Sequence, residues 1–219
     1  MKGTFITFEG IEGSGKSTQI VLLANYLKSH RIKTVLTREP GGTLIGDQIR
    51  RILLDPANKA LDPSAELLLY TASRAQHLKE VIQPAVATGT IVLCDRFSDA
   101  TLAYQGYGRG LDIDMIRELD RIVTAGMRPD LTVLLDIDAA AGLARARGRN
   151  NSRGLEGEAR FENEEIAFHE RVRQGYLTLA KKESERIRVV DASPAQDRIE
   201  MEIRKIVATV SGIAEPALI

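Results

Sequence analysis

The residues best suited to chemistry lie within the first twenty. Gly10-Ile11-Glu12-Gly13-Ser14-Gly15-Lys16-Ser17 fits the pattern G-x-x-x-x-G-K-[ST], directly after a β-rich run and directly before a helical one. Glycines let such a loop turn tightly and aim its N–H groups at phosphate oxygens, and a helix N-terminus behind it adds partial positive charge. Lys16 is placed to neutralise β and γ phosphate groups, and the Ser17 hydroxyl to ligate magnesium. Gly10 to Thr18 is therefore the expected triphosphate-binding loop. By itself the loop leaves kinases, GTPases and mechanical ATPases open. The nearest approach to a guanine-reading N-K-x-D sequence, Asn58-Lys59-Ala60-Leu61, lacks its aspartate, which disfavours a GTPase.

Other groups point to a second substrate. Asp95-Arg96-Phe97 follows a predicted strand, at the carboxyl end of the sheet where open α/β folds bind ligands. There Asp95 can hold magnesium through water and Arg96 can bridge donor and acceptor phosphates. Tyr70 and Arg74 are four apart on a predicted helix, so an aromatic plane sits beside a fork of donors, a combination suited to a planar base. Thr101, Tyr104 and Gln105 repeat that spacing. His30, His77 and His169 read as structural, because an acceptor that is already an ionised phosphate needs little general-base help. Cys94 reads as a buried strand residue.

These groups need a scaffold. Apolar or β-branched runs at Thr4–Phe8, Thr34–Thr37, Ile91–Cys94, Thr132–Ile137 and Arg188–Val190 alternate with longer helical patterns, which predicts a parallel five-stranded α/β sheet flanked by helices. Ile20, Leu23, Ala24 and Leu27 give the helix from Ser17 to about Ser29 an apolar face. Asp62-Pro63 reads as an N-cap and first turn of a helix through Leu67, Leu68, Thr71 and Leu78, with Pro84 ending or kinking it. Gly148 to Gly157 lacks hydrophobic periodicity and reads as a mobile loop. The pattern resumes at Ile166, His169, Val172, Tyr176 and Leu179.

With 219 residues and 43% hydrophobic content, the chain is long enough for a single domain, residues 1–219, with a substantial core. Thirty basic and thirty acidic side chains cancel, which argues against a nucleic acid polymer as partner. The start of the chain enters a strand at once, so no signal peptide is expected. Apolar runs such as Ile91 to Cys94 are too short to cross a bilayer, and one cysteine allows no internal disulfide; no membrane association and a cytoplasmic location are expected.

Together the residues resemble the thymidylate kinase family over nearly the whole chain. Besides the loop, the similarity rests on Arg38-Glu39-Pro40-Gly41-Gly42-Thr43, Asp95-Arg96-Phe97, Ala103-Tyr104-Gln105-Gly106, and Arg145-Ala146-Arg147-Gly148-Arg149 leading to Arg160-Phe161-Glu162. The resemblance implies a P-loop NTPase fold of the nucleoside monophosphate kinase type with a lid at about 147–158, Mg-ATP as phosphate donor, dTMP as acceptor, and a homodimer. It further implies that Glu12 contacts the sugar 3′-hydroxyl, Arg50 and Arg96 the acceptor phosphate, Tyr70 the face of thymine, and Arg74 with Thr101 its edge. Tyr104 would crowd the 2′ position, and Glu39 and Gln105 complete the acceptor set. Ile11 is not basic while Arg149 and Arg153 lie in the lid, as in bacterial members whose lid supplies the catalytic arginine; Arg147 is a third candidate. Two rivals remain: a kinase for another monophosphate, such as that of deoxyuridine or deoxyguanosine, and an ATP-binding switch without transfer activity.

Overall fold

The structure, a computed structural model, describes residues 3–153 and 160–211, without the side chains of residues 149–153 and 211. The five apolar runs form β1 (Phe5–Glu9), β2 (Thr34–Arg38), β3 (Ile91–Asp95), β4 (Leu131–Asp136) and β5 (Ile187–Asp191). They pair in the order β2-β3-β1-β4-β5, each pairing parallel. A parallel sheet needs cover on both faces, and the inner strands β1, β3 and β4 are buried and apolar accordingly. Ile6, Phe8, Ile91 and Leu93 point into the larger core, whereas Phe5, Val92, Cys94 and Phe97 join Leu78, Ile82 and Val86 on the other side. Cys94 is a buried free thiol in a strand, as its sequence context indicates.

α1 (Lys16–Ser29) follows the loop and buries Ile20, Leu23 and Leu27. α2 (Leu44–Leu54) starts at Thr43, whose hydroxyl accepts from Gly46 N–H. α3 (Pro63–His77) is capped by Asp62, which accepts from the Ser64 and Ala65 N–H groups, with Pro63 in the first turn. Leu67 and Thr71 face inward on α3, but Leu68 is 57% exposed, contrary to its expected inward placement; one residue past Leu67, it lies about 100° around the helix.

Pro84 does not end the helix. A π-helical turn, Leu78–Ile82, widens the backbone so that Gln83 N–H reaches Leu78 O, and α4 (Gln83–Ala87) carries the proline in its first turn. A proline there has no intrahelical N–H partner to lose. A second π-helical stretch, Leu102–Gly108, follows α5 (Ser98–Thr101). Next come α6 (Ile113–Thr124), capped by Asp112, and α7 (Ala139–Arg153). The loop expected from Gly148 is thus helical through Arg153. Leu143 and Ala146 anchor α7 in the core, and a helix already nucleated there extends at little cost per residue, so it continues without an apolar period through Gly148, Asn150 and Asn151. α8 (Ile166–Lys182) and α9 (Gln196–Ser211) complete the chain's helices among the described residues. Among the described residues no helix is long and apolar enough to cross a membrane.

Candidate active site

Register brings the chemistry together: Phe8 of β1 pairs with Asp95 of β3, so the loop after β1 and Asp95-Arg96-Phe97 after β3 emerge side by side. Gly13 has φ +70°, and a Cβ there would lie 1.9 Å from Gly142 O at the start of α7, so only glycine permits this approach. Lys16 Nζ donates to Gly10 O at 3.0 Å and Ile11 O at 2.8 Å. Burial, then the neighbouring Arg96 charge, lower the Lys16 ammonium to about 8, against the opposing pull of Asp95, Glu12 and Glu9. Ser17 Oγ donates to Asp95 Oδ2 at 2.8 Å, which sets the two expected magnesium ligands together. A hydroxyl and a single carboxylate are hard oxygen donors. Magnesium keeps most of its remaining positions for water and phosphate, so so small a protein set fits it.

Arg96 adopts φ 72°, a left-handed backbone that a non-glycine residue holds only when its surroundings impose it. Its N–H bonds Phe8 O, and Phe97 N–H donates to Glu9 Oε1 at 2.7 Å. Tyr176 OH donates to the other Glu9 oxygen at 2.7 Å. Burial, reinforced by Asp99, pushes the Glu9 carboxyl up to about 8 despite Arg96 and these two donors. The Arg96 guanidinium then donates to Glu12 Oε1, Tyr104 OH and Tyr176 OH at 3.0 to 3.1 Å and lies over the Tyr104 ring.

Glu12 also accepts from Tyr104 OH at 2.7 and 2.8 Å. His169 Nδ1 lies 3.3 Å from its other oxygen. Burial alone would raise the Glu12 carboxyl, but the His169 hydrogen bond and the Arg96 and Lys16 charges outweigh it and hold the group at about 2.

At the far end, Arg74 is 2% exposed and donates to Glu39 Oε2 at 2.9 Å, Thr101 Oγ1 at 2.8 Å and Asp120 Oδ1 at 3.2 Å. Arg74 and Thr101, expected to share the edge of a base, are thus tied to each other. Glu39 has its second oxygen on His77 Nδ1 at 3.0 Å, so both oxygens are engaged within the wall. Arg50 donates to Pro40 O at 3.2 Å. Gln105 Nε2 donates to Glu66 while its Oε1 is buried without a hydrogen-bond partner among the described residues. Thr101 ends α5, whereas Tyr104 and Gln105 sit on a π-helical turn rather than on the expected α-helix. The wider turn keeps all three on one side. A cavity of about 710 Å³ is lined by Glu12, Lys16, Ser17, Glu39, Arg50, Tyr70, Arg74, Asp95, Arg96, Thr101, Tyr104 and Gln105. Every residue singled out on the main body for the acceptor reaches this one space.

Arg147 donates to Glu162 O at 3.2 Å, whereas the Arg149 and Arg153 side chains lie outside the described residues. Sequence reasoning missed Glu9, Tyr176 and the polar duties of His77 and His169. The signal was present: His169 and Tyr176 stand seven apart, a polar pair on the buried face of α8.

A triphosphate loop, a magnesium pair and a base-sized wall around one cavity define a P-loop phosphotransferase of the nucleoside monophosphate kinase class. A family model for thymidylate kinase matches residues 8–203. Thymidylate kinases of Trichlorobacter lovleyi and Syntrophotalea carbinolica are 60% and 57% identical to this chain, covering 88% and 89% of it and 92% and 90% of their own lengths. The crystal structure of thymidylate kinase from Ehrlichia chaffeensis aligns with TM-score 0.75 at 36% identity, over 94% of this chain and 99% of that one. The chain belongs to the thymidylate kinase family.

Proposed function

We infer that the protein phosphorylates dTMP to dTDP with Mg-ATP, by direct in-line transfer, in the supply of dTTP. One observation carries this: Lys16 and Ser17 at one end, Arg96 in the middle, and Tyr70, Arg74, Thr101 and Gln105 at the other line a single cavity. Donor and acceptor phosphates meet where the arginine stands.

An ionised oxygen of the acceptor phosphate attacks the γ-phosphorus, the bond to the bridging oxygen breaks, and ADP leaves with the electron pair. Lys16 and the loop N–H groups hold the β and γ phosphates, and Arg96 with Arg50 cancels the repulsion between the two anions. Ser17 and Asp95 would hold magnesium, which would supply charge neutralisation for the triphosphate. Glu12 accepts from the sugar 3′-hydroxyl, Tyr104 closes the 2′ side, Tyr70 covers the thymine face, and Arg74, Thr101 and Gln105 read its edge, with Glu39 aligning Arg74. One lid arginine among positions 147, 149 and 153 meets the charge that develops in the transition state, an effect worth roughly 10³- to 10⁵-fold for related arginine fingers. ADP release measured with each natural monophosphate in turn tests the acceptor: dTMP should give the highest kcat/KM, and a different winner overturns the base contacts.

The proposal extends to a cytoplasmic homodimer. Leu68 on α3 and Met115 and Ile122 on α6 are exposed apolar side chains on two helices that pack together, a surface suited to a second copy. Light scattering on the eluted protein should give twice the 24.1 kDa chain mass.

A further inference from the structure

His169 is fully buried and its ring is held from both sides. Nε2 lies 3.0 Å from Phe161 O. A carbonyl oxygen only accepts, so Nε2 carries a hydrogen. Nδ1 is buried, faces Glu12 Oε2 at 3.3 Å and has no hydrogen-bond partner among the described residues. A carboxylate oxygen only accepts, and Nδ1 is the ring atom turned toward it. The ring thus stands between the backbone at Phe161 and the carboxylate of the triphosphate loop. Phe168 packs edge-on against it at 5.5 Å, which removes the freedom to rotate.

Glu12 itself is surrounded. Tyr104 and Arg96 donate to it from the β3 side, and Lys16 acts on it from the loop. Those partners also line the cavity. Among the described residues that act on Glu12, His169 alone is absent from the cavity wall.

We propose that His169 is a positioning residue for the acceptor: anchored on Phe161 O, it fixes the Glu12 carboxylate at the angle that receives the sugar 3′-hydroxyl. This rests on the assignment of Glu12 to that hydroxyl. His169 enters no step of the transfer.

Two substitutions divide the ring's duties. His169→Gln places an amide near Nε2 and keeps the Phe161 anchor while losing the Glu12 contact; His169→Asn places one near Nδ1 and does the reverse. The measurements are KM and kcat with dTMP and with 3′-deoxythymidine monophosphate, alongside the melting temperature. H169Q should raise KM for dTMP by about 10-fold, the order expected for one hydrogen bond to a charged group, with kcat little changed and no effect on the 3′-deoxy acceptor. H169N should stay near wild type in KM and show the larger loss in melting temperature. KM tracking melting temperature across the two variants would mean a structural histidine and overturn the proposal. Wild-type preference for the 3′-hydroxyl persisting in H169Q overturns it too, leaving the assignment of Glu12 intact. A wild type indifferent to the 3′-hydroxyl overturns that assignment and the proposal with it.

Discussion

Arg74 illustrates what a buried charge demands. Its guanidinium is satisfied by Glu39, Asp120 and Thr101 at 2% exposure, so removing it strands Glu39 in the interior. R74A should cost about 3 kcal/mol or more in denaturant-derived stability, since breaking a buried pair leaves an uncompensated charge. Lys16 behaves differently: its partners are loop carbonyls at the cavity mouth, so K16A should lower turnover by at least about 100-fold while the unfolding midpoint stays close to wild type. Near-normal turnover in that variant would refute the phosphate loop. Glu9 sets a pH dependence. Its folded value is raised from 4.5 to about 8, so the stability it contributes is complete below 4.5 and falls as pH rises toward 8. Stability of the wild type minus that of E9Q should therefore decline across this window, by at most about 1.4 kcal/mol per pH unit; a flat difference would show that Glu9 is ionised throughout. Types and spacing exposed Lys16, Asp95 and Arg96 in the sequence, because a phosphate loop is local. Glu9 was not legible, because its partners Phe97 and Tyr176 come from distant parts of the chain.

Elements hold these residues at their angles. The Asp62 cap on α3, two donors deep, sets the helix that carries Tyr70, Arg74 and His77. D62A should cost about 1 kcal/mol, roughly 2–4 °C in melting temperature for a chain of this size, with activity kept once folded. Cap, proline and apolar period made α3 readable. The π-helical turns were not, because Leu78–Ile82 and Leu102–Gly108 have compositions that suit an ordinary helix, and only tertiary packing widens them. The arginine-rich end of α7 misled in the opposite sense: without an apolar face it reads as a loop, yet an anchored start carries the helix to Arg153. For the catalytic arginine, alanine variants at 147, 149 and 153 should give one dominant loss of kcat, and three unaffected enzymes would contradict a lid arginine.

At the scale of the molecule, strand alternation gave the parallel sheet, while the order β2-β3-β1-β4-β5 comes from pairings that no local pattern encodes. That order sets β1 between β3 and β4, and hence the phosphate loop beside Asp95 and Arg96. One cavity lined by both the loop and the Asp95-Arg96 stretch is a consequence of this placement. The central claim is transfer from ATP to dTMP within that cavity. ADP production by the purified protein with Mg-ATP, with and without dTMP, tests it most directly. A large stimulation by dTMP, with little ATP consumed in its absence, is the predicted result; ATP consumption that no natural monophosphate accelerates would contradict it.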